Sequence, residues 1–173
     1  MMTHYTKSFV AMHWVHAVLL MFILLGASLV MPDLPEQGGD LAPFKIHIIL
    51  GILATVLTLV RLLMLRSQPE MEPLKVNSLR QKAIAWNHRL LYLFILIAGI
   101  SGFATANSAN VGEVAVLGKD PTLYTGAGGA TELLADIHGA STTILMLLIA
   151  MHIAGVLSYR IKTGECILKR MWF

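Results

Sequence analysis

The sequence predicts an all-α integral membrane protein, a four-helix bundle forming one domain over residues 1–173 with both termini cytoplasmic. Three observations lead there. The chain of 173 residues is 56% hydrophobic and its mean hydropathy is positive, more apolar than soluble domains usually are. Four apolar stretches, residues 8–31, 44–65, 83–105 and 133–159, each reach the roughly 20 residues that a helix needs to cross a bilayer. The charges between them sort by side. Lys7, Arg61, Arg66, Lys75, Arg80, Lys82, Arg89, Arg160, Lys162, Lys169 and Arg170 fall on one side, and Lys45 and Lys119 on the other. Basic residues stay cytoplasmic, so the N-terminus, the second connection and the C-terminus are expected inside.

Seven of the ten acids, Asp33, Glu36, Asp40, Glu113, Asp120, Glu132 and Asp136, belong to the two outer connections. The net charge of +3 therefore follows from topology, and no nucleic-acid partner is expected. The partner surface is a lipid bilayer crossed several times.

Each span has its own features. The first contains Gly26-Ala27-Ser28, which faintly resembles a signal-peptide cleavage site. Its apolar run is too long, however, and Lys7 is its one firm leading charge, so it reads as an uncleaved span. The second runs from outside to inside, with His47 near its outer end and Arg61 before its inner end. The third starts inside with Trp86-Asn87-His88-Arg89. The fourth has no charged residue from Ile137 to Tyr159, yet holds His138 and His152. Cys166 is the one cysteine. That excludes an intramolecular disulfide, an iron–sulfur cluster and, lacking C-x-x-C-H, a covalently attached haem.

Histidines inside a membrane span are costly and tend to be functional. His138 and His152 lie 14 residues apart, about 21 Å along a helix axis and within about 40° of four full turns. They share one face, one near each side of the membrane. At the outer level the one other histidine is His47. At the inner level three are available: His13 and His16 in the first span and His88 in the third. His4 precedes the span and reads as a solvated terminal residue.

Two imidazoles facing each other across a helical bundle can hold a haem iron from both sides, and such ligation suits electron transfer. Gly51, Gly139 and Gly155 lie near the histidines and would let a flat macrocycle approach. Met12 and Met151 flank candidate ligands but point elsewhere, and read as packing. A single membrane histidine is more often a hydrogen bond between helices. Histidines paired at two depths favour ligation, although depth does not rank His13, His16 and His88.

With these residues in view, the chain resembles the prokaryotic cytochrome b561 group, within the larger set of dihaem membrane cytochromes b that includes hydrogenase and formate dehydrogenase cytochrome subunits. The resemblance runs through FVAMHWVHAVLLMFILLG with its His13-Trp14, IHIILGILATVLTLVRLL with His-x-x-x-Gly and a later Arg, and HRLLYLFILIAGISG with His-x-x-x-Tyr and a later Gly. It continues through IHGASTTILMLLIAMH with its 14-residue histidine spacing and the basic tail YRIKTGECILKRM. It implies two haem b groups, the outer held by His47 and His138 and the inner by His13 and His152. It also implies exchange with a quinone, ubiquinone here, at the inner side, where His16, Arg61, His88 and Arg89 are candidate quinone or propionate contacts. His88 is either a hydrogen-bond partner of a quinone carbonyl or an interfacial polar residue. Arg61 either pairs with a propionate or quinone oxygen or snorkels as an anchor.

The expected function is a b-type dihaem electron carrier across the membrane, between a periplasmic-side donor and the quinone pool. The small relatives resemble superoxide oxidase, which would make superoxide the donor and the protein an oxidoreductase. The excess of outer acids does not favour an anionic donor, and a basic periplasmic cytochrome is the other candidate. Competing readings are a haem subunit of a larger oxidoreductase, a histidine-lined metal transporter and a cofactor-free anchor. No acid lies mid-span, which opposes metal transport. The outer segment 107–131 contains TGAGGAT but no nucleotide-binding pattern, and is expected to fold over the outer haem edge as a cap or docking surface. Its Lys119 is expected to keep the segment solvated.

Overall fold

The computed structural model describes residues 4–31, 40–126 and 128–172. Five α-helices follow one another: α1 Lys7–Val30, α2 Ala42–Leu65, α3 Ser78–Ser108, α4 Val111–Ala115 and α5 Ala130–Thr163. Short 3₁₀ turns lie at Pro121–Leu123 and Ile167–Met171. The described residues contain no strand. Four helices, α1, α2, α3 and α5, are long and apolar enough to cross a membrane, as the hydropathy pattern predicts.

Their ends follow local chemistry. Asp40 accepts the Ala42 N–H at 2.9 Å and Pro43 sits in the first turn of α2, where a missing N–H costs nothing. Asn77 caps α3 by accepting the Arg80 N–H at 2.9 Å. α5 stops at Gly164, whose φ of 71° is left-handed and whose N–H bonds Arg160 O at 2.9 Å, a conformation that favours glycine. α3 and α5 thus run beyond the apolar stretches 83–105 and 133–159 at both ends. Hydropathy marks what lies in lipid, whereas caps mark where the helix stops.

One end of the bundle, the basic end, gathers the chain start, the 66–77 connection and the C-terminal tail. Trp14 Nε1 donates to Met171 O at 2.7 Å, and its ring meets Trp172 edge-on at 6.1 Å. His4, expected as a free solvated residue, is exposed but has Nδ1 2.8 Å from Lys169 O. Lys75 pairs with Glu165 at 2.8 Å, and Tyr159 donates to the same carboxylate at 3.1 Å.

The opposite, cap end holds the segment 107–131. Ala106, Ala109, Val111 and Tyr124 form a buried cluster there against Leu41, Phe44 and Ile48. The segment is therefore a small folded roof with its own helix, seated on the start of α2. Lys119 pairs with Glu113 at 3.0 Å within it. Asp33 and Glu36 of the other connection, and Ala127 of TGAGGAT, lie outside the described residues.

Large apolar side chains such as Leu29, Phe103 and Leu147 point outward, as lipid contact requires. Burial of apolar surface does not drive helix association in lipid, so close packing and polar contacts must. α3 packs along α5, α1 along α2, and α2 along α3. α5 makes no comparable backbone approach to α1 or α2. α1 meets α5 through side chains at mid-height, where Leu24, Ile95 and Leu145 are buried together and Ser28 Oγ lies 3.9 Å from Met146 Sδ.

Candidate functional site

The histidines occupy two levels, above and below that apolar layer. At the cap end, α2 brings His47 and α5 brings His138 face to edge, with ring centroids 6.0 Å apart and planes at 88°. His138 Nδ1 donates to Ala98 O of α3 at 2.8 Å. That bond fixes the tautomer and leaves Nε2 with a free lone pair. A metal binds an imidazole nitrogen at about 2 Å, so one ion between two rings holds their centroids roughly 6 Å apart.

The basic end is more crowded. His13 lies within electrostatic reach of Arg61, His152, His16 and His88. His152 meets His88 at 4.9 Å between ring centroids, edge to face, a spacing too short to admit an ion between them. His88 Nδ1 also donates to Ile84 O at 2.8 Å. His16 is fully buried, with Nε2 3.2 Å from Thr58 Oγ1. Thr58 in turn donates to Ala54 O at 2.8 Å, so its oxygen accepts from His16.

Arg61 lies between two aromatic faces, Cζ 5.4 Å from the Phe9 centroid and 5.6 Å from that of Tyr92. Arg89 goes elsewhere: it is exposed and stacks on Trp86 at 5.3 Å. The structure thus gathers His13, His16, Arg61, His88 and His152, and leaves Arg89 on the outside. Four side-chain atoms there are buried without a hydrogen-bond partner: His13 Nδ1, His16 Nδ1, Arg61 Nε and Asn87 Oδ1. Buried polar atoms rarely stay unpaired. No three His, Cys, Asp or Glu side chains converge as a metal cage among the described residues; a haem takes its protein ligands in pairs.

The family model described as prokaryotic cytochrome b561 matches residues 4–173. The chain belongs to the prokaryotic cytochrome b561 family. Comparison with curated proteins and with solved structures gives no match. Membership makes this a haem b electron carrier of the membrane.

The residues of this b561-family chain suit haem b chemically. The cap-end pair has the spacing for one iron and a free nitrogen on His138. Alanine methyls placed at Gly51, Gly139 and Gly155 would meet no atom within 4 Å, so space beside these glycines is open. Met151 is 61% exposed and is not turned into the bundle, in line with a packing role.

Sequence reading missed three residues. Thr58 gives no motif, and its pairing with His16 depends on how α1 meets α2. Gly99 and Gly102 stand in the quoted AGISG, but spacing does not say what they face. A Cβ on Gly99 would strike Thr55 of α2, and one on Gly102 would lie 2.8 Å from His138 Cε1.

Proposed function

We propose that the protein is a dihaem cytochrome, one domain over residues 1–173, that carries electrons across the bacterial inner membrane between a periplasmic-side donor and ubiquinone. The basic end is placed in the cytoplasm, with both termini, and the cap end in the periplasm. The observation that carries the reading is the two-level arrangement on α5. His138 faces His47 at one level, and His152 joins the polar group around His13 at the other.

His47 and His138 are assigned as ligands of the outer haem, and His13 and His152 of the inner. Bound there, haem b supplies one-electron redox chemistry at each level. The chain's own groups do the rest. Ala98 O orients His138. Arg61, held between Phe9 and Tyr92, supplies a cation for a propionate or quinone oxygen. His88, anchored through Nδ1 on Ile84 O, keeps Nε2 as an acceptor near His152. The inner pairing requires His152 to turn from His88 toward His13, whose buried Nδ1 has no hydrogen-bond partner holding the ring in another orientation.

The donor is the less constrained part. Superoxide is one candidate, but Lys119 is already paired with Glu113, which weakens it as an anion guide. A basic periplasmic protein fits the acidic outer segments better.

The test is spectral and quantitative. Purified from membranes, the protein should show two haem b per chain. His47→Ala should leave one, with the inner signal intact. Two haems retained in His47→Ala, or a colourless folded preparation, refutes the assignment.

A further inference from the structure

We propose that α3, which carries none of the outer ligands, positions one of them: Gly102 and the Ala98 carbonyl form a notch that orients His138. The proposal rests on the reading above of His138 as an outer haem ligand.

A backbone carbonyl in a helix already accepts the N–H four residues on, here that of Gly102. Its second lone pair remains for side chains: Ser101 Oγ, held mainly on Ile97 O at 2.7 Å, touches it at 3.2 Å, and side chains at the overlying positions normally block sideways approach from a neighbouring helix. Here His138 Nδ1 reaches Ala98 O at 2.8 Å, from a helix 40 residues away in sequence. The ring gets there because residue 102 has no side chain. A Cβ at that position would sit 2.8 Å from His138 Cε1 and 2.9 Å from Nδ1, inside the distance that real Cβ atoms keep.

The adjoining face of the same stretch of α3 is also held. Gly99 receives Thr55 of α2 so closely that a Cβ would collide with it, and Thr55 is anchored to Gly51 O at 2.8 Å. α3 therefore sets the position of α2, which carries His47, as well as the orientation of His138. The consequence is chemical. An N–H held on a carbonyl turns Nε2 toward the metal and makes it more basic, and partners of this kind typically change metal affinity by about 10–100-fold. A more basic ligand favours the oxidised iron, so weakening the bond should raise the outer midpoint potential.

The experiment compares holoprotein variants purified from membranes, read by haem stoichiometry, low-spin EPR and redox titration. Alanine is the better helix former, so Gly102→Ala carries no penalty from propensity. It should shift the outer EPR signal, raise the outer midpoint and weaken outer-haem retention by roughly 10–100-fold, with the inner haem unchanged. Gly26→Ala, where a Cβ meets nothing within 4 Å, should match wild type. Native EPR and midpoints in Gly102→Ala, with His138→Ala losing one haem, overturn the positioning proposal alone. Two haems in His138→Ala overturn the ligand reading beneath it. If Gly102→Ala does not fold, pulsed EPR on the wild-type ferric protein decides: the remote nitrogen of His138 should carry the signature of a hydrogen-bonded N–H, and a free one overturns the proposal.

Discussion

Thr58→Val isolates one buried contact and gives it a measurable size. Thr58 and His16 are both at 0% exposure. The hydroxyl donates to Ala54 O at 2.8 Å, so the 3.2 Å contact is His16 Nε2–H donating to Thr58. Valine keeps the branched shape and removes the oxygen. The Ala54 carbonyl keeps its helix partner and lies within reach of the His16 ring, so the cost falls on an imidazole N–H left with only that shared acceptor. In soluble cores such a loss is about 1–3 kcal/mol. Between membrane helices the measured average is about 0.6 and the maximum about 1.7, because opened helices find other partners within the bilayer. Full burial at both ends raises the expected loss and the nearby Ala54 carbonyl lowers it, which places it between the two membrane figures, at about 0.6–1.7 kcal/mol. The assay is an SDS unfolding titration of the holoprotein, followed by the haem absorption and by helical circular dichroism. The same substitution is repeated in a His16→Phe background. There no donor remains, and Thr58→Val should cost a few tenths of a kcal/mol at most. Equal losses in both backgrounds would refute the reasoning, since the coupling energy would then be zero.

Three further outcomes are expected. Glu165 is held below its ordinary pKa of 4.5 by hydrogen bonds from Lys75 and Tyr159 and by the Lys75 charge. Its contribution to tail docking is present above that value and fades as pH falls through the lower folded one. Protection of residues 165–172 from protease should therefore drop on acidification below pH 4.5, and Glu165→Gln should flatten the profile. Trp14→Phe removes the 2.7 Å bond to Met171 O and should cost about 0.5–1.5 kcal/mol, read by the same SDS titration and by faster proteolysis of the tail. Arg61→Met keeps an apolar stem and removes the cation, so the inner midpoint should fall in a redox titration; an unchanged inner midpoint would place Arg61 outside the haem's field.

Much of the fold was legible because lipid imposes a simple rule. Every backbone polar group must be satisfied within the protein, so an apolar run of about 20 residues, twice what a spanning strand needs, reads as a helix, and the four runs are α1, α2, α3 and α5. Helix ends were less legible, because Asn77 and Gly164 act in the aqueous layer where hydropathy has no contrast. The roof at the cap end was seen as a segment but not as a folded unit. Its helix α4 is five residues long, and its core depends on Tyr124 and Val111 meeting Leu41 and Phe44 from a distant part of the chain. Among the site residues, the His47–His138 encounter followed from depth, since each level was readable from helix direction. The partner of His152 did not follow, and the structure shows why. At the basic end three helices offer histidines at one depth, and rotation about each axis, which sequence does not fix, decides which ring it meets.

That difference between the two ends carries physical meaning. The cap end has one histidine pair, a backbone acceptor for His138 and a roof. At the basic end one group gathers His13, His16, His88, His152, Arg61 and Asn87, and four of their buried atoms have no partner. Stability does not explain such a group, because each unmet buried donor or acceptor costs about 1–3 kcal/mol, and apolar side chains would pack there at no such cost. An unmet polar group is sustained when something outside the chain completes it. The propionates of a haem and the carbonyls of a quinone are acceptors that suit the Arg61 guanidinium, while Asn87 Oδ1 and the unprotonated Nδ1 of His16 suit a hydroxyl such as that of a reduced quinone. On the proposed dihaem reading, the cap end would pass single electrons, and the basic end would bind a small molecule that takes up protons as well. Quinone titration should then perturb the basic-end haem spectrum and leave the cap-end one unchanged, and a perturbation confined to the cap end would reverse the assignment of the two sides.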